Sequence, residues 1–356
     1  MDIYVYNQLL EKIGVIDDYE SIIWATRYYE PGDFEIKIPA GSQNIELLEK
    51  DNYLVRYDDE AVMIIEKLTI VTDIENGNYI LASGRCFKSI LDRRVIWKQQ
   101  KYSGTPENCI RSILTRNLIS PEEPERRIDN FVLGEAKGFT GSIEAQYTGS
   151  NVLDVVIEIC KAAGLGFKII LENGQFKFVL YKGADRSYKQ DINLPVIFSP
   201  DNDNIINTNY TEEKTYYKNV ALVAGEGEGS ARKYADTGTA IGLQRRELFI
   251  DARDITSGAE EETGPVLTDE EYNAVLTQRG AEKLTEVAIT QTFEGTVDTE
   301  VLYKFKEDFF LGDIVTAVNE YGIKAAPRIT EIIESENAAG YSVIPTFDGW
   351  EQEVEQ

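Results

Sequence analysis

The closing part of the chain carries the pattern that most restricts its fold. Apolar and polar residues alternate over residues 308–315, and a turn at Tyr321-Gly322 leads to a second alternating run at 327–333. A further turn at 337–340 leads to a third run at 341–347. Alternation places every second side chain on one face of a strand, and short turns join such strands. We therefore predict a three-stranded meander, a unit from which small β-barrels are built.

The first hundred residues show the same pattern. Runs rich in β-branched and aromatic residues, which favour strands, lie at 3–6, 21–29, 34–39, 53–57, 62–70 and 79–83. The pair Asn76-Gly77 separates two of these runs and is a strong hairpin signal, because both residues tolerate positive φ. Several short strands at this spacing indicate a barrel or a sandwich. We assign residues 1–98 to a first β-barrel domain.

Residues 102–190 have a mixed pattern. Thr105 followed by Pro106 is typical of a helix start, and a second helix is predicted between a cap at Ser150 and an end at Gly164. A hairpin with its turn at 173–174 follows. Two helices beside a hairpin make a small α+β domain.

From residue 195 to residue 348 the chain again favours strands, and we assign this segment to a second β-barrel domain. It contains a loop-rich insertion, 225–264, around one strand at 248–250, and a helix, 268–288, that starts with the capping box Thr268 to Glu271. Strands predicted at 290–297 and 299–305 lead into the meander. Residues 349–356 form a short acidic tail. The predicted fold is α+β and β-dominated, with two small barrels and attached α+β parts.

Composition excludes several kinds of chemistry. The chain has no histidine and three cysteines, Cys86, Cys109 and Cys160, at wide spacing. This argues against zinc and haem sites and excludes Ser-His and Cys-His nucleophiles. We interpret the cysteines as small buried apolar residues, and we predict no cofactor, no metal and no enzymatic activity.

The net charge of −26 arises from 62 acidic and 36 basic residues, and the last third of the chain carries most of the excess. Such a surface argues against nucleic-acid binding, which depends on cationic side chains. The excess serves solubility. An alternative hypothesis is that part of it lines a channel that DNA passes without binding.

Three tempting motifs have simpler explanations. The Gly-rich segment 225–229 presents glutamates where a phosphate loop needs positive potential, so we interpret it as a turn. Residues 201–204 lack the glycine and the distal glutamate of a calcium loop and indicate an Asx-rich turn. The pairs Arg93-Arg94 and Arg126-Arg127 are too short for a nucleic-acid surface.

The start of the chain shows no basic segment followed by an apolar run, so no signal peptide is predicted. No apolar segment is long enough to cross a bilayer, so we expect no membrane insertion by this chain. Synthesis and assembly in a cytoplasm are expected.

Two sets of residues together resemble a known family. The first set lies in the segment 19–36, and its members are Ser21, Trp24, Arg27, Pro31, Gly32 and Phe34. The second lies in the closing meander, and its members are Leu311, Gly312, Asp313, Arg328, Glu331, Tyr341, Pro345 and Phe347. In this order and separation they resemble the two ends of siphophage tail-tip (baseplate) hub proteins, and the resemblance covers nearly the whole chain.

The resemblance implies a structural protein of a phage or prophage virion, located at the tail tip and assembled in the bacterial host cytoplasm. It implies a homotrimer whose six tube-type barrels match the six-fold tail tube. The implied partners are the distal tail ring, the tail-tube proteins and a tail fibre or lysin component, with DNA only as transient cargo. The family's hub region has no catalytic residues to transfer.

Two other classes of function remain open on the sequence. One is a phage-associated cell-wall hydrolase that uses carboxylates, since clusters of glutamate lie on predicted helices. The other is a carbohydrate-binding module, which requires exposed pairs of aromatic residues.

Overall fold

The computed structural model of the protein describes residues 1–73, 77–258, 266–297 and 302–348. Within these residues strands outnumber helices and form several sheets. The predicted β-dominated α+β fold is therefore confirmed. The chain builds an N-terminal, a middle and a C-terminal lobe, each around its own apolar core, and a fourth core lies beneath the longest helix.

The N-terminal lobe consists of two facing layers of strands. Its elements are β1 (Ile3–Tyr6), β2 (Lys12–Ile16), β3 (Ser21–Arg27), β4 (Asp33–Pro39), α1 (Ser42–Leu47), β5 (Tyr53–Arg56), β6 (Val62–Ile64), β7 (Lys67–Asp73) and β8 (Gly77–Arg85). One layer has the order β2-β1-β5-β6, and the other has the order β3-β4-β8-β7. Side chains such as Val5, Trp24, Ile36 and Ile80 fill the space between them.

The run at 62–70, expected as one strand, is divided. β6 pairs with β5 in one layer, whereas β7 pairs with β8 in the other. The chain crosses between the layers at Ile65 and Glu66, whose N–H groups donate to Asn52 and Ser83. Of the predicted hairpin turn, Asn76 lies outside the described residues.

The middle lobe packs two helices against short sheets. Its elements are β9 (Gln100–Gly104), α2 (Pro106–Leu114), β10 (Phe131–Leu133), β11 (Ile143–Tyr147), α3 (Val152–Ala163), β12 (Gly166–Glu172) and β13 (Gln175–Tyr181). Thr105 caps α2 as predicted, and β12 and β13 form the predicted hairpin. The cap of α3 is Asn151, not Ser150, because the Asn151 carboxamide accepts from the N–H of Leu153 at 2.8 Å. α3 ends at Gly164 as predicted.

The C-terminal lobe holds the remaining elements. They are β14 (Ile197–Phe198), β15 (Ile205–Glu213), β16 (Val220–Ala224), β17 (Tyr234–Thr237), β18 (Glu247–Asp251), α4 (Asp269–Glu286), β19 (Thr290–Val297), β20 (Thr316–Val318), β21 (Lys324–Ala325), β22 (Arg328–Asn337) and β23 (Gly340–Asp348). The insertion 225–264 was expected to hold one strand. It holds two, β17 and β18, which flank β16 in a small sheet covered by α4, and residues 259–264 lie outside the described residues.

The predicted three-stranded meander is only partly correct. β22 and β23 form the expected hairpin, but the first strand is β20, which pairs with β14 and β21 in a separate sheet across the core. Residues 308–315 form turns and isolated bridges because Gly312 adopts φ +96° and the Asp313 carboxylate accepts from the Phe310 N–H. The strand predicted at 299–305 is absent over 302–305. Its residues 299–301 lie outside the described part of the chain.

One continuous sheet joins the two ends of the chain. Its order is β15-β19-β23-β22-β3-β4-β8-β7, so the C-terminal β22 pairs directly with the N-terminal β3. Each half of this sheet covers one core, with β2-β1-β5-β6 opposite one half and β14-β20-β21 opposite the other. The N-terminal and C-terminal lobes therefore have the same two-layer arrangement, and one sheet runs through both.

The helix α4 also packs against the middle lobe through a buried carboxylate. Glu282 is 1% exposed and accepts hydrogen bonds from the Tyr147 hydroxyl at 3.3 Å and from Gln278 at 3.2 Å. Beside it, Lys283 binds Glu158 at 2.6 Å. Burial raises the pKa of Glu282 above its usual value, because water no longer stabilises the charged form.

We expect Glu282→Gln to stabilise the protein at pH 8 by about 1 kcal/mol. A carboxyl group whose pKa is raised on folding contributes stability below its unfolded pKa and loses it as pH rises through the folded pKa. The amide is neutral throughout and keeps both acceptor contacts. Urea unfolding at pH 5 and pH 8 measures the free energy of unfolding of the variant and of the unchanged protein. The difference between the two proteins should be smaller at pH 5. Glu270→Gln, at an exposed position of the same helix, is the control, and destabilisation of Glu282→Gln at pH 8 would contradict the prediction.

Candidate functional site

The two residue sets that carry the family resemblance meet where β3 pairs with β22. Arg27 Nε lies 2.6 Å from Glu331 Oε1, and its Nη1 lies 2.6 Å from Asp33 Oδ2. The same Nη1 donates to the Pro31 carbonyl at 2.8 Å. A guanidinium from the first set thus fixes both a carboxylate of the second set and the turn that leads into β4.

A buried ion pair lies further along the contact between β3 and β22. Arg56 of β5 and Glu334 of β22 have side-chain exposures of 0% and 1%, and Arg56 Nη2 lies 2.9 Å from Glu334 Oε1. Asp58 and Lys306 complete the cluster, at 2.5 Å from Arg56 Nη2 and 3.3 Å from Glu334 Oε2. Tyr341 donates its hydroxyl to Glu334 at 2.7 Å, and its pKa is raised by burial and by that carboxylate. Charges from the N-terminal and C-terminal lobes therefore neutralise one another where the two lobes meet.

Tyr28 connects all three lobes. Its side chain is fully buried, and its N–H donates to Thr330 at 2.8 Å in β22. Its hydroxyl donates to the carbonyl of Gly164 at 3.2 Å in the middle lobe. A Cβ atom at either Gly166 or Gly312 would overlap the Tyr28 ring. The ring therefore occupies a socket that exists only because both positions are glycine.

Gly312 and Asp313 attach the C-terminal lobe to the segment that follows β13. The Asp313 carboxylate is buried and accepts from the Ala184 N–H at 2.8 Å and from Arg186 Nε at 2.8 Å. Arg328 Nη1 donates to the Gly312 carbonyl at 2.5 Å, and its guanidinium lies 5.1 Å from the centre of the Tyr28 ring. The positive φ of Gly312 bends the chain here and places this turn against Tyr28.

Most of the remaining residues of the two sets lie away from this junction, although the Arg56 guanidinium lies 5.4 Å from the centre of the Trp24 ring. Trp24, Phe34 and Phe347 fill cores, Pro345 is buried on β23, and Ser21 pairs with Lys37 in the sheet. No sequence signal identified Arg56, Lys88 or Lys306 as junction residues, and Tyr28 lies in the segment 19–36 without being a member of the first set. Their partners are distant along the chain, and neither motif spacing nor periodicity relates them.

A cleft of about 620 Å³ opens between the three lobes beside this junction. Its wall includes Arg27, Leu311 and Asp313 from the two resemblance sets. Lys88 also lines it, and this side chain is only 6% exposed. Lys88 Nζ donates to the carbonyls of Arg27 at 2.6 Å, Tyr28 at 3.2 Å and Glu30 at 3.2 Å. Burial lowers the pKa of Lys88 to about 8.

The other sequence motifs take simple structural roles. Residues 200–204 form a turn in which the Asn204 carboxamide accepts from the Ser199 N–H at 3.0 Å. The residues that the structure describes contain no cluster of acidic, cysteine or histidine side chains able to hold a metal. All three cysteines are buried and free, as predicted. The two arginine pairs are in contact, since Arg94 Nε donates to the Arg126 carbonyl at 2.9 Å.

A search of the described helices finds none with the length and apolarity needed to span a membrane.

Three solved tail proteins share this fold. A prophage MuSo2 43 kDa tail protein from Shewanella oneidensis has a TM-score of 0.58 at 14% identity, covering 98% of each chain. A tail protein from Neisseria meningitidis MC58 has a TM-score of 0.57 at 14% identity, covering 98% of this chain and 96% of that one. The prophage tail protein gp18 from Listeria monocytogenes EGD-e has a TM-score of 0.55 at 12% identity, covering 99% and 95%.

The family model described as siphovirus ReqiPepy6 Gp37-like protein matches residues 2–347. This chain therefore belongs to that family of siphovirus proteins, and its fold is that of the phage tail proteins named above. No curated protein matches the sequence significantly. The resemblance noted in the sequence is confirmed at the level of the tail protein family.

We expect Gly312→Ala to destabilise the protein by about 3 kcal/mol. The added methyl group meets the Tyr28 ring, and φ +96° is strained for alanine. Gly322→Ala is the matched control, because Gly322 has φ +77° but open space around it, and it should cost only about 1 kcal/mol. Urea unfolding followed by tryptophan fluorescence compares the two. Equal losses of stability in the two variants would show that contact with the Tyr28 ring adds nothing to the cost of Gly312→Ala.

We expect Arg56→Met to cost about 3 kcal/mol, because it leaves Glu334 buried with only the partly exposed Lys306 as a cation. The double variant Arg56→Met/Glu334→Leu should recover part of this loss, because no uncompensated charge remains. Arg93→Met, which removes an exposed pair with Asp51, should cost less than about 1 kcal/mol. Thermal unfolding measures all three. A double variant less stable than Arg56→Met would contradict this explanation.

Proposed function

We propose that this tail protein is a baseplate hub that assembles as a homotrimeric ring at the tail tip and continues the tail tube. The observation that supports this most strongly is the shared sheet. It runs without interruption through two lobes of similar plan, so each chain contributes two equivalent units to a ring. Three chains then supply the six units that a six-fold tail tube requires.

The ends of the shared sheet provide a means of closing the ring. β15 and β7 are its edge strands, and unpaired strand edges are sites for pairing with another chain. Each edge also bears an isoleucine exposed by about half, Ile206 at 53% and Ile70 at 50%. Pairing β7 of one copy with β15 of the next gives a head-to-tail contact, which closes when the rotation between copies is a simple fraction of a turn.

The proposed domain division follows the same plan. Residues 1–98 and 195–348 form the two tube-type barrel domains, and residues 102–190 form the attached α+β domain. The segment 225–264 and the helix 268–288 are insertions in the second barrel. The acidic tail 349–356 lies outside the described residues.

We assign the face of the shared sheet that points away from the cores to the wall of the DNA passage. Its side chains alternate with buried ones such as Phe34 and Ile36. On β3, β4, β7 and β22 its charged residues are Arg27, Asp33, Glu35, Lys37, Lys67, Asp73 and Glu331. On these four strands the charges nearly balance, and a near-neutral wall lacks the cationic surface that would retain DNA.

We also propose that the protein is not an enzyme and needs no cofactor. Carboxylates that line the cleft are bound to cations, as in Asp313 with Arg186 at 2.8 Å and Asp59 with Lys306 at 2.9 Å. Glu282, whose pKa is raised, lies in the contact between α4 and the middle lobe and not in the cleft. Clearing of host cell walls in a zymogram by the pure protein would support a hydrolase instead.

The other proposed partners are the distal tail ring, the tail-tube proteins and a tail fibre or lysin component. Native mass spectrometry and negative-stain images of the protein mixed with such partners test both ring and partners. A ring with three copies is expected, and a different copy number or no ring would contradict the hub.

We expect Ile70→Lys and Ile206→Lys each to abolish ring formation, because a charged side chain at a strand edge opposes pairing with another strand. The control is Ile13→Lys, which changes an isoleucine 42% exposed on the edge strand β2 of a different sheet. All three should unfold at similar urea concentrations, since each position is already partly exposed. Rings that form equally from all three variants would exclude β7 and β15 as the contact.

A further inference from the structure

The cleft between the lobes differs in charge from the rest of the protein. Its lining contains six cationic side chains and four carboxylates, in a chain whose net charge is −26. The cations are Arg27, Lys88, Lys168, Lys182, Arg186 and Lys306, and the carboxylates are those of Asp58, Asp59, Glu60 and Asp313. A positive region on so acidic a molecule requires a physical reason.

Most of these charges neutralise one another. Lys168 binds Glu60, Lys306 binds Asp59, and Arg186 binds Asp313. Asp58 binds Arg56, and Arg27 binds two carboxylates outside the cleft. Two lysines are left, Lys88 and Lys182, and no ion pair joins either of them to a carboxylate of the described residues.

Lys88 is the unusual member of the pair. Its three donors are satisfied by neutral carbonyl groups, and its ammonium lies 4.4 Å from the centre of the Phe167 ring. Its charge is therefore hydrogen-bonded but not neutralised. Burying a charge without an opposite charge nearby is costly. An anionic group that enters the cleft would lower this cost.

The apolar part of the cleft indicates what kind of anion fits. Phe87, Phe167 and Phe310 line it, and Phe310 is 42% exposed. Phe87 and Phe167 are buried, so Phe310 is the phenylalanine that a ligand can contact. A pocket of several hundred cubic ångströms with an exposed aromatic side chain and a few charged groups suits an apolar side chain with polar neighbours.

We propose that the cleft binds a short acidic segment of another polypeptide. An apolar side chain of this segment packs on Phe310 and Leu311, and its neighbouring carboxylates lie toward Lys88 and Lys182. The inference goes beyond the proposed ring, because the cleft is formed within a single chain and its occupancy does not depend on ring closure.

The test uses the full-length chain and two synthetic probes, acetyl-Glu-Leu-Phe-Glu-amide and acetyl-Lys-Leu-Phe-Lys-amide, in isothermal titration calorimetry. We expect the acidic peptide to bind at least about tenfold more tightly than the basic one. Lys182→Glu should weaken binding of the acidic peptide by about tenfold. Lys50→Glu, the same change at an exposed lysine outside the cleft, should leave it unchanged.

A second measurement reports on Lys88 without altering it. NMR of the lysine side chains should show the pKa of Lys88 rising when the acidic peptide saturates the protein, because a nearby carboxylate favours the ammonium form. Phe310→Ala should weaken the peptide's binding, with the pKa of Lys88 in the free protein unchanged.

Several results would overturn the proposal. They are equal binding of the two peptides, no binding of either, and equal effects of Lys182→Glu and Lys50→Glu. Displacement of the acidic peptide by inorganic phosphate or by a thymidine oligonucleotide at equal concentration would assign the cleft to phosphate groups instead. Because the free chain is used, a failure here leaves the ring untouched, and failure of ring formation leaves the peptide result intact.

Discussion

The pairing of β3 with β22 is the contact on which the rest of the structure depends. It joins the two ends of the chain into one sheet, so the halves that cover the two cores become a single wall. Strand pairing alone fixes register and direction, while side chains at the seam fix the angle between lobes. Arg27 with Glu331 and Arg56 with Glu334 provide opposite charges from each lobe. Burial of the second pair makes misalignment of the two lobes costly, because it would leave a buried charge unpaired.

Tyr28 extends this join to the middle lobe. Its ring fits between Gly166 and Gly312, and its backbone bonds to β22. A side chain in a glycine-lined socket tolerates no alternative position, because protein interiors are close-packed. The same residue and its neighbours Arg27 and Glu30 offer their carbonyls to Lys88, so the socket and the positive wall of the cleft form together. Tyr28 and the backbone around it thus contribute both to the rigidity expected of a tube component and to the proposed peptide site.

Local signals in the sequence predicted the local structure well. The cap at Thr105, the capping box of α4 and the hairpin of β12 and β13 were all identified, because each depends on residues within a few positions. The errors have a common cause. The run at 62–70 was divided and the first meander strand was replaced by β20, because in both places the chain passes from one layer to the other. Periodicity shows which residues alternate but not which layer they join.

Composition and local residue patterns were enough to predict the β-dominated class, the positions of most elements, the absence of histidine chemistry and the family. Three features became visible only in the folded chain: both ends share one sheet, Tyr28 links three lobes, and a positive cleft exists in an acidic protein. These features join residues more than a hundred positions apart, as Arg27 to Glu331 and Tyr28 to Gly166 show. Such contacts follow from packing of whole layers, which no local pattern encodes.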